Sequence, residues 1–168
     1  AQRLYETAID YAGLTGRESL LDAYCGIGTI GLAAAGRAAR VTGVELNPDA
    51  VQDAIRNARR NGIANARFFE GDAGEFLRAG KAGPLDVVMM DPPRAGSDRR
   101  FLQSLCQSGA GRIVYVSCNP ETLARDLACL AKRDYQVKKM QPVDMFPLTD
   151  SVEVVCLLEN RRIRPGRS

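Results

Sequence analysis

The chain has 168 residues, 45% of them apolar and 26% charged, with a formal net charge of +3. That is enough for one globular domain, and no apolar run nears the roughly 20 residues needed to span a bilayer. Histidine is absent, which excludes Ser-His-Asp and Cys-His nucleophile systems and any histidine-based metal site. A general base must then be a carboxylate, a lysine or a water. The five cysteines, Cys25, Cys106, Cys118, Cys129 and Cys156, include no C-x-x-C pair and read as reduced thiols of a cytoplasmic protein. The charge is too small to establish a polyanionic partner. The arginines at 59–60, 99–100, 161, 162, 164 and 167 read first as a solvated surface and second as a phosphate track.

In chain order, Gln2–Ala12 places Leu4, Tyr5, Ala8, Ile9 and Ala12 on one face of a short amphipathic helix. Strands are predicted at Ser19–Tyr24, Arg40–Leu46, Ala66–Gly71, Leu85–Met90 and Arg112–Ser117. Helices are predicted at Thr29–Gly36, Pro48–Asn61, Ala73–Ala79, Asp98–Ser108 and Pro120–Arg133. Asn47-Pro48 and Asn119-Pro120 each supply an N-cap followed by proline at the first helical position, and Asn61-Gly62 supplies a stop. Strands alternating with helices imply a mostly parallel sheet covered on both faces. The run Val87–Met90 fits its buried centre. Tyr135–Val143 and Ser151–Leu158 follow without a helix between them and predict an antiparallel hairpin at the sheet edge.

The stretch Ser19–Gly36 joins an apolar run ending in Asp22 to a glycine loop and a small-residue helix. Gly26, Gly28 and Gly31 satisfy G-x-G-x-x-G, and Glu45 ends the next apolar run. Such loops hold a dinucleotide or the adenosine of S-adenosylmethionine. Gly31 also fits close helix–strand packing. Ligands of open parallel sheets sit beyond the carboxyl ends of the strands. There this sequence places Asp22, Glu45, Asp72, Asp91 and Cys118. Glu45 suits a ribose diol, and Asp72 an adenine amino group.

Two further features separate the alternatives. Asp91-Pro92-Pro93-Arg94 follows the buried strand directly, and its prolines stiffen the loop beside the cofactor's reactive group. Arg94 stands where amino-group methyltransferases carry a base-stacking aromatic. Cys118 lies at a strand tip, just ahead of a helix whose N-terminal dipole and free amides favour a thiolate. Hydride transfer requires neither feature. An antiparallel final strand is also typical of S-adenosylmethionine-dependent methyltransferases.

The blocks DAYCGIGT (Asp22–Thr29), DPPRAG (Asp91–Gly96), YVSCNPETLARDL (Tyr115–Leu127) and VDMFPLTDSVEVVCLL (Val143–Leu158) resemble the RNA uracil-C5 methyltransferases, which make 5-methyluridine. The resemblance runs through essentially the whole chain. It implies a Rossmann-like α/β methyltransferase fold, a seven-strand sheet with an antiparallel final strand. It further implies S-adenosyl-L-methionine as cofactor and a uridine of RNA as substrate, in ribosomal RNA ahead of transfer RNA. Cys118 would be the nucleophile and Glu153 the base. Tyr24, Thr29, Glu45 and Asp72, with Asp22, Gly26 and Gly28 of the loop, would hold the cofactor. Asp91 would lie between cofactor and base, and Arg94 would neutralise an enolate or a phosphate. Ser151 and Leu148 stand where relatives carry histidines. The family's upstream RNA-binding regions and its aromatic-Gln motif are not in this sequence, which implies a C-terminal catalytic fragment. No metal and no membrane contact are expected. A non-catalytic S-adenosylmethionine-binding module and a nicotinamide-dependent oxidoreductase are the alternatives.

Overall fold

The computed structural model describes residues 2–145, 148 and 152–163. The expectations concerning Phe146, Pro147, Ser151, Arg164 and Arg167 lie outside the described residues. Leu148 is described as a fully exposed residue with left-handed backbone, φ 76°.

The alternation read from the sequence is realised as α1 (Gln2–Ala12), β1 (Ser19–Ala23), α2 (Thr29–Ala34), β2 (Arg40–Glu45), α3 (Pro48–Arg60), β3 (Ala66–Glu70) and α4 (Ala73–Arg78). Then follow β4 (Val87–Met90), α5 (Arg99–Gln107), β5 (Arg112–Ser117), α6 (Pro120–Ala131), β6 (Tyr135–Asp144) and β7 (Val152–Asn160). Both asparagine caps form: Asn47 Oδ1 accepts from the Asp49 amide at 2.9 Å and Asn119 Oδ1 from the Glu121 amide at 3.0 Å. Most boundaries differ from expectation by one or two residues, and two of the shifts have a visible cause. Helix α2 stops at Ala34 because Ala35–Arg37 tighten into a 3₁₀ turn. Strand β4 starts at Val87, after Asp86 has bent out to accept the Ser19 amide on its carboxylate at 2.8 Å.

The seven strands form one sheet in the order β3-β2-β1-β4-β5-β7-β6. Strands β1 to β5 pair in parallel, and β7 is antiparallel to both β5 and β6. The hairpin therefore lies at the edge as expected, with its second strand turned inward against β5. Strand β4 is buried at all four positions between β1 and β5.

Alternation along the strands builds two large cores, and a third, smaller cluster joins Val51, Ala54 and Ala58 of α3 to Cys25 and Phe68. Leu21, Val88, Met90, Ile113 and Tyr115 meet Phe76, Phe101, Leu105 and Leu123 from α4, α5 and α6. On the other face Leu20, Met89, Val114, Val155 and Leu157 meet Leu4, Ala8 and Ile9 of α1 and Ile30 of α2. Helix α1 runs opposite to the parallel strands. Its last carbonyl, on Ala12, accepts from Nε of Arg112 at the start of β5, at 2.8 Å. Its first turns thus reach the end of the sheet where β1, β4 and β5 terminate.

Candidate active site

The sheet order rearranges the strand-end residues. Along the carboxyl edge they succeed one another as Asp72, Glu45, Asp22, Asp91 and Cys118, and the antiparallel β7 begins at the same edge, bringing Glu153 next to Cys118. The β5–β7 ladder ends at the pair Ser117 with Val154, so Cys118 and Glu153 are each one residue past it.

The acids divide between two sides of this edge. On the α4–α5 side, a cleft of about 200 Å³ is lined by Tyr24, Glu45, Asp72, Pro93, Gly96 and Phe101. Tyr24 adopts a left-handed backbone, φ 60°, uncommon for a residue with a bulky side chain. Its ring meets Phe101 edge-on with centroids 5.2 Å apart, and its hydroxyl lies 3.1 Å from Ser97 Oγ. Burial, only partly offset by that hydrogen bond, pushes the Tyr24 phenol up to about 12, so it stays a neutral hydroxyl that can donate or accept. Glu45 accepts the Gly26 amide at 3.2 Å on one oxygen and the Asn47 amide at 2.9 Å on the other. Both oxygens keep a lone pair for an incoming hydroxyl. Asp72 caps α4, accepting the Glu75 amide at 2.9 Å on Oδ1.

The glycine loop lies between β1 and α2. Gly26 and Gly28 have φ of 55° and 86°, and Thr29 opens α2 on the exposed side. Asp22 sits beneath the loop, 2% exposed, and its Oδ2 accepts the Gly31 amide at 3.0 Å. Burial, against that hydrogen bond and aided by Asp91 and Glu45, pushes its carboxyl up to about 7. A Cβ on Gly31 would stand 2.8 Å from Asp22 Oδ2 and 3.1 Å from Val41 Cγ1. The third glycine of the pattern is therefore a packing residue, as its alternative reading held.

On the α1 side, Glu153 follows the alternation of Val155 and Leu157. Burial raises its carboxyl above the ordinary range. Asp91 keeps one exposed side, yet burial first and the charge of Glu153 second push it up to about 6. Tyr5 completes this group. Burial chiefly, then the charges of Asp91, Glu153 and Asp22, raise its phenol. Sequence reasoning gave Tyr5 only a packing role. Burial holds the thiols of Cys25, Cys106 and Cys156 above their ordinary value; Cys118 is half-buried. The Arg94 carbonyl accepts from Asn119 Nδ2 at 3.1 Å and Thr122 Oγ1 at 3.2 Å, which ties the Asp-Pro-Pro loop to the first turn of α6. Among the described residues, no group of three or more His, Cys, Asp or Glu side chains has the arrangement to hold a metal ion.

A thiol at a strand tip, a carboxylate at the start of the neighbouring strand and a carboxylate-lined cleft are set on one sheet edge. Residues 1–161 match the model described as tRNA (uracil-5-)-methyltransferase. The chain belongs to this family. An uncharacterized RNA methyltransferase of Halalkalibacterium halodurans is 50% identical over 158 residues, which are 93% of this chain and 34% of that protein. The chain thus spans about a third of the length of the curated relatives it matches. Among solved structures, the tRNA (uracil-54, C5)-methyltransferase of Pyrococcus abyssi, in complex with S-adenosyl-L-homocysteine, is similar at TM-score 0.80 and 36% identity. That match covers 93% of this chain and 38% of the other. A precorrin-6y C5,15-methyltransferase of Geobacter metallireducens shares the fold, at TM-score 0.80 and 16% identity. The α/β methyltransferase fold expected of the uracil-C5 family is therefore the fold found, with β7 as its antiparallel strand.

Proposed function

We propose that this chain is the catalytic domain of an RNA uracil-C5 methyltransferase using S-adenosyl-L-methionine. The reading is carried by one observation, the placement of Cys118 and Glu153 one step beyond the Ser117–Val154 pair, at the edge that also holds the cleft. The cleft suits an adenosine. Tyr24 and Phe101 supply apolar ring surface, Glu45 can take the ribose hydroxyls on its free lone pairs, and the second oxygen of Asp72 can take an amino group. When bound, S-adenosyl-L-methionine supplies an electrophilic methyl group.

The C5 of uracil is a weak nucleophile. Addition of the Cys118 thiolate to C6 makes a covalent bond and turns the ring into an enolate whose C5 can accept the methyl group. Glu153 then takes the C5 proton, the C5–C6 double bond re-forms, and the thiolate leaves. A carboxylate raised by burial is better matched to that proton than an ordinary one. Asp91 stands between cleft and base, where it can hold the edge of the uracil. Arg94 supplies positive charge that can neutralise the developing enolate or a phosphate of the RNA. A uridine inside folded RNA must be extruded to reach this edge, at a cost of a few kcal/mol.

The test is to map 5-methyluridine in ribosomal and transfer RNA with and without the full-length protein, and to repeat methylation in vitro on both RNAs. New 5-methyluridine in either supports the reading and identifies the RNA. Tight S-adenosyl-L-homocysteine binding without methyl transfer to any uridine would mark a non-catalytic binding module. Binding of a nicotinamide dinucleotide in its place would overturn both.

A further inference from the structure

Asp126 is a buried acid with no part in the proposed chemistry. It lies in the second turn of α6 at 0% exposure, where a carboxylate is costly unless every partner is supplied. Its Oδ2 accepts from the Ser97 amide at 2.9 Å and from the Tyr115 hydroxyl at 2.6 Å, and its Oδ1 from Arg125 Nε at 3.1 Å. Arg125 extends the tie, donating Nη2 to the carbonyls of Ala95 at 3.0 Å and Ser97 at 3.2 Å. With Asn119 and Thr122 on the Arg94 carbonyl, the first two turns of α6 grip the loop after Asp91-Pro92-Pro93 at three residues. The closeness shows at Gly96, φ +77°, where a Cβ would stand 2.9 Å from Asp126 Oδ2 and 3.0 Å from Thr122 Cβ. The loop's far end leads elsewhere: Ser97 Oγ meets the Tyr24 hydroxyl on the wall of the cleft.

We infer that Asp126 is a positioning residue that fixes the start of α6, and Cys118 with it, relative to the cofactor cleft. The inference rests on reading the cleft as the S-adenosylmethionine site. Each link is stiff: Tyr115 is fully buried in β5, the strand that ends just before Cys118, and two prolines restrict the loop. Addition to one carbon and methylation of its neighbour demand a fixed distance between thiol and methyl donor, and small misplacements cost large factors in rate. Asp126 touches neither reacting group. It sets the distance between them.

Three single variants of the full chain test this, each followed by S-adenosyl-L-homocysteine calorimetry and thermal unfolding. Ser97→Ala removes only the hydroxyl facing Tyr24; the expected result is a native Tm with Kd weakened about three- to tenfold. Asp126→Asn sets an amide donor against donors already present. Kd should weaken at least about tenfold, and in the full-length protein, assayed on the RNA that it methylates, kcat at saturating cofactor should fall at least about tenfold. Tyr115→Phe removes one of two donors on Oδ2 and should lower Tm while moving Kd less than Asp126→Asn does. A native Kd in Asp126→Asn, or Kd values that follow Tm across the three variants, would reduce Asp126 to a structural role and overturn the inference. Absence of S-adenosyl-L-homocysteine binding in the wild-type chain would instead overturn the cofactor reading beneath it.

Discussion

Cys118 and Glu153 are 35 positions apart in sequence, yet each is the next residue beyond one antiparallel pair, Ser117 with Val154. Directly opposed residues of an antiparallel ladder lie about 4.5–5.5 Å apart at Cα, and one step past the ladder's end Cys118 and Glu153 stay on adjoining strand ends. A uracil ring held at this edge can therefore meet the thiol at C6 and the carboxylate at C5. Glu153→Gln should allow addition and methylation but not elimination, and a covalent protein–RNA adduct should accumulate, visible as a shifted band on a denaturing gel. Cys118→Ala should form none. An adduct that persists in Cys118→Ala would remove the thiol from the mechanism.

Asp91 reports the same neighbourhood electrostatically. Its carboxyl stands at about 6, raised by burial and then by the charge of Glu153. Glu153→Gln removes the second cause and keeps the first. Asp91 should then titrate lower than in the wild type but above the ordinary value of about 4. Carboxyl-carbon NMR titration reads this directly. An unmoved Asp91 midpoint would mean that the two acids do not face one another.

Asp22 makes stability depend on pH in a definite direction. Its carboxyl titrates near about 7 in the folded chain and near about 4 in the unfolded one. A raised acid favours its protonated form, so its contribution is fully present below about pH 4 and is lost as pH rises through about 7. The loss is bounded at about 4 kcal/mol. Thermal unfolding between pH 4 and 8 should show wild-type stability falling relative to Asp22→Asn as pH rises. A constant difference between the two would contradict the raised value.

Gly31 is required by space. Alanine there would press its methyl group against Asp22 Oδ2 and Val41 Cγ1, and neither can withdraw from the packed layer between α2 and the sheet. Gly31→Ala should cost about 1–3 kcal/mol, the usual range for overpacking, in chemical denaturation. A loss within about 0.5 kcal/mol, the range of a neutral surface change, would show that the helix can lift away freely.

Period and punctuation in the sequence were enough for the elements of this fold. The apolar runs at β1, β2 and β4, and the asparagine–proline starts of α3 and α6, are local signals backed by local physics: burial on one face and satisfaction of the first helical amides. The chemistry-bearing residues were legible too, because a thiol at a strand tip and a carboxylate before a double proline do not belong in a core. Their order along the edge was not. It depends on which strands pair, and the sequence 22, 45, 72, 91, 118 becomes 72, 45, 22, 91, 118 only when β4 inserts beside β1. Asp126 and Tyr5 were hidden for the same reason. One reads locally as a charge on an amphipathic helix and the other as a packing residue. Only the packed sheet brings Asp126 against Ser97 and Tyr115, and Tyr5 within the field of Asp91 and Glu153. Local pattern determined which residues were available for chemistry, and long-range strand pairing decided which of them meet.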